Sequence, residues 1–160
     1  MKAALKVVLL VLVMLFALPA AAQTPVFEKR FGHASASCQR TPKTRVLVCV
    51  VVYMRQPYLG IQLGSEADPE SVAITAGARR EPGSELTIRV DNHAVHNTTR
   101  DGFFDYEAVS MLTEIEHGGQ ITVRFESEDS DVKTADTFSL ADINAALRAV
   151  ENFREGQADE

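Results

Sequence analysis

The sequence predicts a mainly β fold, an antiparallel β-sandwich or open barrel with two short peripheral helices, one of them near the C-terminus. Three observations predict it. Short segments alternate apolar and polar residues, most cleanly Leu86-Thr-Ile88-Arg-Val90 and Ile121-Thr-Val123-Arg-Phe125, as half-buried strands do. Turn residues separate such segments, as at Asp68-Pro69, Arg79-Arg80-Glu81-Pro82-Gly83 and Asp91-Asn92. Apolar residues recur at helical spacing in only two stretches, both late in the chain.

The chain opens on Met1-Lys2-Ala-Ala-Leu-Lys6, an almost unbroken apolar run from Val7 to Leu18, and then Pro19-Ala20-Ala21-Ala22. A charged head, about a dozen apolar residues and a small-residue end describe a secretory signal peptide over residues 1–22. The apolar run falls short of the roughly 20 residues a membrane span needs. No Cys follows the cleavage point, which argues against a lipoprotein. Residues 23–160 are therefore expected to form a single β-rich domain with a disordered last few residues. The expected address is the periplasm or the exterior, with no stable membrane span once the signal is removed.

Within that domain the strands read in order. Cys38 and Cys49 are the two cysteines of the chain, and in an oxidising compartment they are expected to pair. They would bridge a hairpin turning at Thr41-Pro42-Lys43; a reactive pair would show a Cys-x-x-Cys spacing, which is absent. Arg45 to Met54 has no polar alternation and is rich in β-branched residues, the signature of a central strand buried on both faces. Strands are expected at Tyr58–Leu63, Ser71–Thr75, Leu86–Val90, Ile121–Phe125 and Thr134–Phe138. Glu107 to Glu116 places Val109, Leu112 and Ile115 at helical spacing and stops at His117-Gly118-Gly119. The second helix starts from Ser139 as N-cap with Asp142 in its first turn, carries Leu140, Ile143, Ala146, Leu147, Val150 and Phe153 on one face, and is expected to end at Gly156.

Charge narrows the partners. Without the signal the chain carries 14 basic and 22 acidic residues, which disfavours nucleic acid, whose affinity rests on Lys and Arg neutralising phosphates. The acidic stretch Glu126 to Asp131 lacks the Gly and distal Glu of an EF-hand loop. The segment Asp91-Asn-His93-Ala-Val-His96-Asn-Thr-Thr-Arg100-Asp101 gathers two His, two Asp, two Asn and an Arg in eleven residues. Asp91, His93, His96, Arg100 and Asp101 thus form the candidate binding loop. On an extended strand His93 and His96 point to opposite faces, so a shared metal would need a bend there and a third ligand. No Gly-x-Ser-x-Gly, His-Glu-x-x-His or phosphate-cradling Gly loop occurs. The reading is therefore no catalytic, cofactor-binding or metal-ligating residue.

Several segments together resemble the invasion-associated locus B family of bacterial secreted, mostly periplasmic proteins. Phe31-Gly32-His33-Ala34-Ser-Ala-Ser-Cys38 is similar to that family's Phe-Gly-Asp-Trp-x-x-x-Cys start, and Cys49 lies where its next Cys is expected. Leu86 to Asp91 is similar to its strand ending in Val-Asp, and Gly102 to Leu112 to its Gly-Cys-x-Ala segment. Gly118-Gly119 and the strand after them match its next step, and Phe138-Ser139-Leu140 with Ala145-Ala146-Leu147 resembles its ending. The chain departs from the pattern at Ala34, where the family has Trp, and at Phe103, where a second cysteine pair would begin. Ala141-Asp142-Ile143 replaces the Leu-Gly-Phe part of the ending. The resemblance implies a divergent, all-β secreted protein with no catalytic residues to carry over.

Three functions follow as expectations. The first is a non-catalytic binding or accessory protein of the bacterial envelope, not an enzyme. Its partner would be an envelope or host-surface protein or a cell-wall component, met through strand edges and the 91–101 loop. The alternatives are a periplasmic hydrolase or metal-dependent enzyme using the 91–105 polar cluster, and an envelope stress or chaperone-like structural protein.

Overall fold

A computed structural model describes residues 25–42, 44–55, 58–64, 72–77, 80–127 and 130–158. The expected signal peptide, the Asp68-Pro69 turn and the last two residues lie outside them. In chain order the described elements are β1 (Phe27–Phe31), β2 (Ala34–Arg40), β3 (Leu47–Tyr53), β4 (Leu59–Leu63), β5 (Ala73–Ala76), β6 (Leu86–Val90), β7 (His96–Thr98), β8 (Phe103–Phe104), α1 (Asp105–His117), β9 (Gln120–Ser127), β10 (Ser130–Ser139) and α2 (Ala141–Ala158). Two antiparallel sheets result, one in the order β1-β2-β3-β4-β5-β8 and one in the order β10-β9-β6-β7. The mainly β, sandwich-like class predicted from alternation is the class observed.

One apolar core lies between the layers. The six-stranded sheet supplies Cys38, Cys49, Val51, Tyr53, Leu59, Ile61, Ile74 and Phe103, and the four-stranded sheet supplies Leu86, Ile88, Val90, Ile121, Val123 and Phe125. Tyr53 of β3 stacks on Phe138 of β10, ring centroids 4.3 Å apart, which joins the two sheets directly. Within the first hairpin Cys38 and Cys49 sit opposite each other in register, Cα atoms 4.0 Å apart, and form the expected disulfide.

The helices complete this core. α2 packs over β1, β2 and β3, where Ala34 and Ala36 have no side chain beyond Cβ and so allow it to lie close. Its apolar stripe is the one predicted, with Leu140, Ile143, Ala146, Leu147 and Val150 buried and Phe153 stacked on Phe27 at 4.8 Å. Ser139 Oγ accepts the Ala141 N–H at 3.2 Å, but the first helical bond runs from the Asn144 N–H to Leu140 O, so Leu140 holds the N-cap position expected for Ser139. Asp142 does more than complement its own helix. Its carboxylate accepts the His33 N–H at 2.9 Å and fills the space that a Cβ on Gly32 would need, while Gly32 itself turns the chain at φ 54°. The β1–β2 turn is thereby fixed to the start of α2.

Three details differ from expectation. β3 is central but not buried on both faces: Cys49, Val51 and Tyr53 point into the core, while Val48, Val50 and Val52 lie half-buried on the outer side. An all-apolar run hides this alternation because period two needs a polar residue to show it. α2 continues through Gly156 to Ala158, because a glycine in an exposed last turn weakens a helix without obliging it to stop. α1 begins at Asp105, held at φ 59°, and buries Ala108, Met111 and Ile115, with Val109 and Leu112 half-buried beside them. It ends at His117 as expected, but Gly118 has an ordinary φ of −82°. Glycine is required there for a different reason: a Cβ would run into Val90 and Leu140.

Candidate binding surface

The five loop residues singled out by composition come from one corner of the four-stranded sheet, where β6 turns into β7 and on towards β8. Each is held differently. Asp91 takes the left-handed conformation, φ 43°, that Asp tolerates better than most residues. From there its carboxylate accepts the Gly119 and Gln120 N–H groups, each at 2.9 Å, and ties the end of β6 to the start of β9. The Gly119 bond first, then the Gln120 bond, hold its pKa below the ordinary carboxylate range. His93 is exposed in the turn, its backbone N–H bonded to Val90 O at 2.9 Å.

His96 opens β7 directly opposite Ile88, an inward position. Its Nε2 donates to Glu114 of α1, 3.1 and 3.2 Å from the two carboxylate oxygens, and its ring meets Phe103 edge-on. The two side chains are only 15% and 17% exposed, so the pair is shielded from most solvent. Arg100 remains outside, bonded to Glu107 at 3.0 Å and lying over the Phe104 ring at 5.5 Å. Asp101 is fully exposed, 3.8 Å from a guanidinium nitrogen of Arg80.

Arg80 organises this corner, and sequence reading passed over it as part of a turn. Its side chain is 6% exposed. It donates to the Ser84 and Arg100 carbonyl oxygens, so the β5–β6 connection and the β7–β8 connection share one cation. The only available signal was the doubled Arg79-Arg80 before Pro82-Gly83, which any solvated turn could carry.

The loop residues thus separate into a strand tie (Asp91), a shielded pair (His96 with Glu114), a surface pair (Arg100 with Glu107) and exposed groups (His93, Asp101). Among the described residues no three His, Cys, Asp or Glu side chains gather where they could hold a metal ion. What the corner offers chemically is a braced, charged surface.

Hollows also open elsewhere among the described residues. One of about 260 Å³ lies between the end of α1 and the face of α2, lined by Glu116, His117, Asn144, Leu147, Arg148 and Glu151. Asn144 Nδ2 donates to Gly118 O at 3.1 Å, while its buried Oδ1 has no partner. Burial, and then the Glu151 charge, raise the Glu116 pKa. Another, of about 90 Å³, lies on the outer face of the four-stranded sheet, lined by Thr87, Arg89, Val95, Thr122 and Arg124.

No protein-family model, curated protein or solved structure matches this chain. Among the described residues no helix is long and apolar enough to cross a membrane.

Proposed function

We propose that this protein is a non-catalytic binding or accessory protein of the bacterial envelope, periplasmic or secreted, of the kind its resemblance to the invasion-associated locus B proteins implies. One observation carries the reading. The polar residues of the 91–101 corner are tied to the scaffold by Asp91, His96 and Arg80, and this leaves His93, Val95 and Arg100 displayed on a rigid edge. Displayed groups on a braced loop suit recognition, whereas general acid–base work needs groups that converge on one reacting atom. The Cys38–Cys49 disulfide favours an oxidising compartment. The partner is an envelope or host-surface protein or a cell-wall component.

Crosslinking in intact cells, followed by mass spectrometry of what is purified with the protein, tests this. The expected result is one dominant envelope or surface partner, lost when His93, Val95 and Arg100 are all replaced by Ala while Tm stays within a few degrees. A diffuse set of unfolded envelope proteins would replace this reading with the chaperone-like one. Turnover of ester, peptide or glycan substrates by the purified protein would replace it with the hydrolase.

A further inference from the structure

The outer face of the four-stranded sheet carries an arrangement that the fold does not use. In the β6–β9 register Thr87 lies opposite Arg124 and Arg89 opposite Thr122, so the two arginines occupy diagonal positions on one face. Diagonal residues stand roughly 7–8 Å apart, within reach of each other for side chains this long. All four line the hollow of about 90 Å³, with Val95 at its rim, 56% exposed.

Among the described residues neither the Arg89 nor the Arg124 guanidinium has an ion pair or a hydrogen bond. Of the flanking carboxylates, Glu85 accepts from Asn97 at 3.2 Å, Asp91 accepts from Gly119 and Gln120, and Glu126, two residues beyond Arg124 on the same strand face, has a contact of its own. Two unpaired guanidinium groups on one patch of an acidic protein repel each other without a counterion. Guanidinium is also the side chain whose fork of donors matches phosphate and sulfate oxygens. The Thr87 and Thr122 hydroxyls add donors between them, Thr122 also sharing a hydrogen bond with Thr137 at 2.8 Å.

We infer that Arg89, Arg124, Thr87 and Thr122 form a binding site for a phosphate or sulfate group, presented as a free anion or on a larger molecule. The inference stands apart from the envelope reading, since the anion would bind this face in any compartment. The net negative charge of the chain opposes adsorption to an anionic bilayer, so the expected source is soluble.

The test is titration of the mature, oxidised protein with inorganic phosphate and with sulfate, followed by amide chemical shifts against chloride at equal ionic strength. Saturable shifts at Thr87, Arg89, Thr122 and Arg124 are expected, with affinity at least about tenfold weaker in R89Q/R124Q, given the strength of charge-assisted bonds. Both arginines are exposed, so the variant should keep its Tm. Sedimentation with phosphatidylcholine vesicles containing phosphatidic acid, but not with phosphatidylcholine alone, would assign the group to a lipid headgroup. Shifts no larger than those from chloride, with no sedimentation, would overturn the site. So would saturation that persists in R89Q/R124Q.

Discussion

Asp91 shows how one carboxylate can serve as a structural tie on the surface. Its two backbone donors favour the ionised form, so its folded pKa lies below its unfolded one. The stabilisation is then fully present above the unfolded value near pH 4 and is lost as the pH falls through the folded value. Acid titration of Tm should show this loss in the wild type, and Asp91→Asn, which keeps the left-handed turn, should flatten it. Glu116 has the opposite sign. Burial and Glu151 raise its folded pKa, so its contribution is fully present below the unfolded value and is lost as the pH rises through the folded one. Glu116→Gln should therefore raise Tm at pH 7 and leave it nearly unchanged near pH 4. At His96 the shielded pair with Glu114 is at stake. His96→Ala should cost about 1–3 kcal/mol in denaturant melts, because it leaves the Glu114 carboxylate partly buried without its donor.

Elements are joined here by a few strong local devices. The disulfide between β2 and β3 closes a separation of eleven residues, for which the chain-entropy account gives roughly 3 kcal/mol. Cys38→Ser should thus lower unfolding free energy by about 2–5 kcal/mol, the range for small secreted domains. Intact mass of the native protein should show both thiols oxidised. The joint between the β1–β2 turn and α2 depends on Gly32. Gly32→Ala adds a Cβ at a positive φ and displaces the Asp142 carboxylate from the His33 N–H. A loss of about 2–3 kcal/mol is expected, and hydrogen exchange should show the first turn of α2 opening more readily than in the wild type.

At the scale of the whole molecule the layers have unequal cover. The inner face of the six-stranded sheet meets the four-stranded sheet and both helices, so α1 and α2 close the core instead of decorating it. Among the described residues one outer face carries the half-buried Val48, Val50 and Val52 and the other the Arg–Thr checkerboard. Recognition is expected on those surfaces and at the 91–101 corner.

Much of this was legible before the structure. Period-two alternation marked β6 and β9 because each buries one face and wets the other. The helical stripe of α2 and the pairing of two cysteines followed from equally local rules. Short strands escaped: β7 and β8 have three and two residues, too few for any period to register, and β1 is mostly exposed at a sheet edge. The candidate loop was found by composition, yet its division into a tie, a shielded pair and displayed groups depends on partners such as Glu114 and Gly119, 18 and 28 residues away. Local chemistry in the chain determined which segments extend, which coil and which cysteines meet, since those choices rest on neighbouring residues. Which polar groups are spent on the scaffold and which face outward was decided only by tertiary packing, because hydrogen-bond partners distant in sequence become neighbours only when the two sheets close.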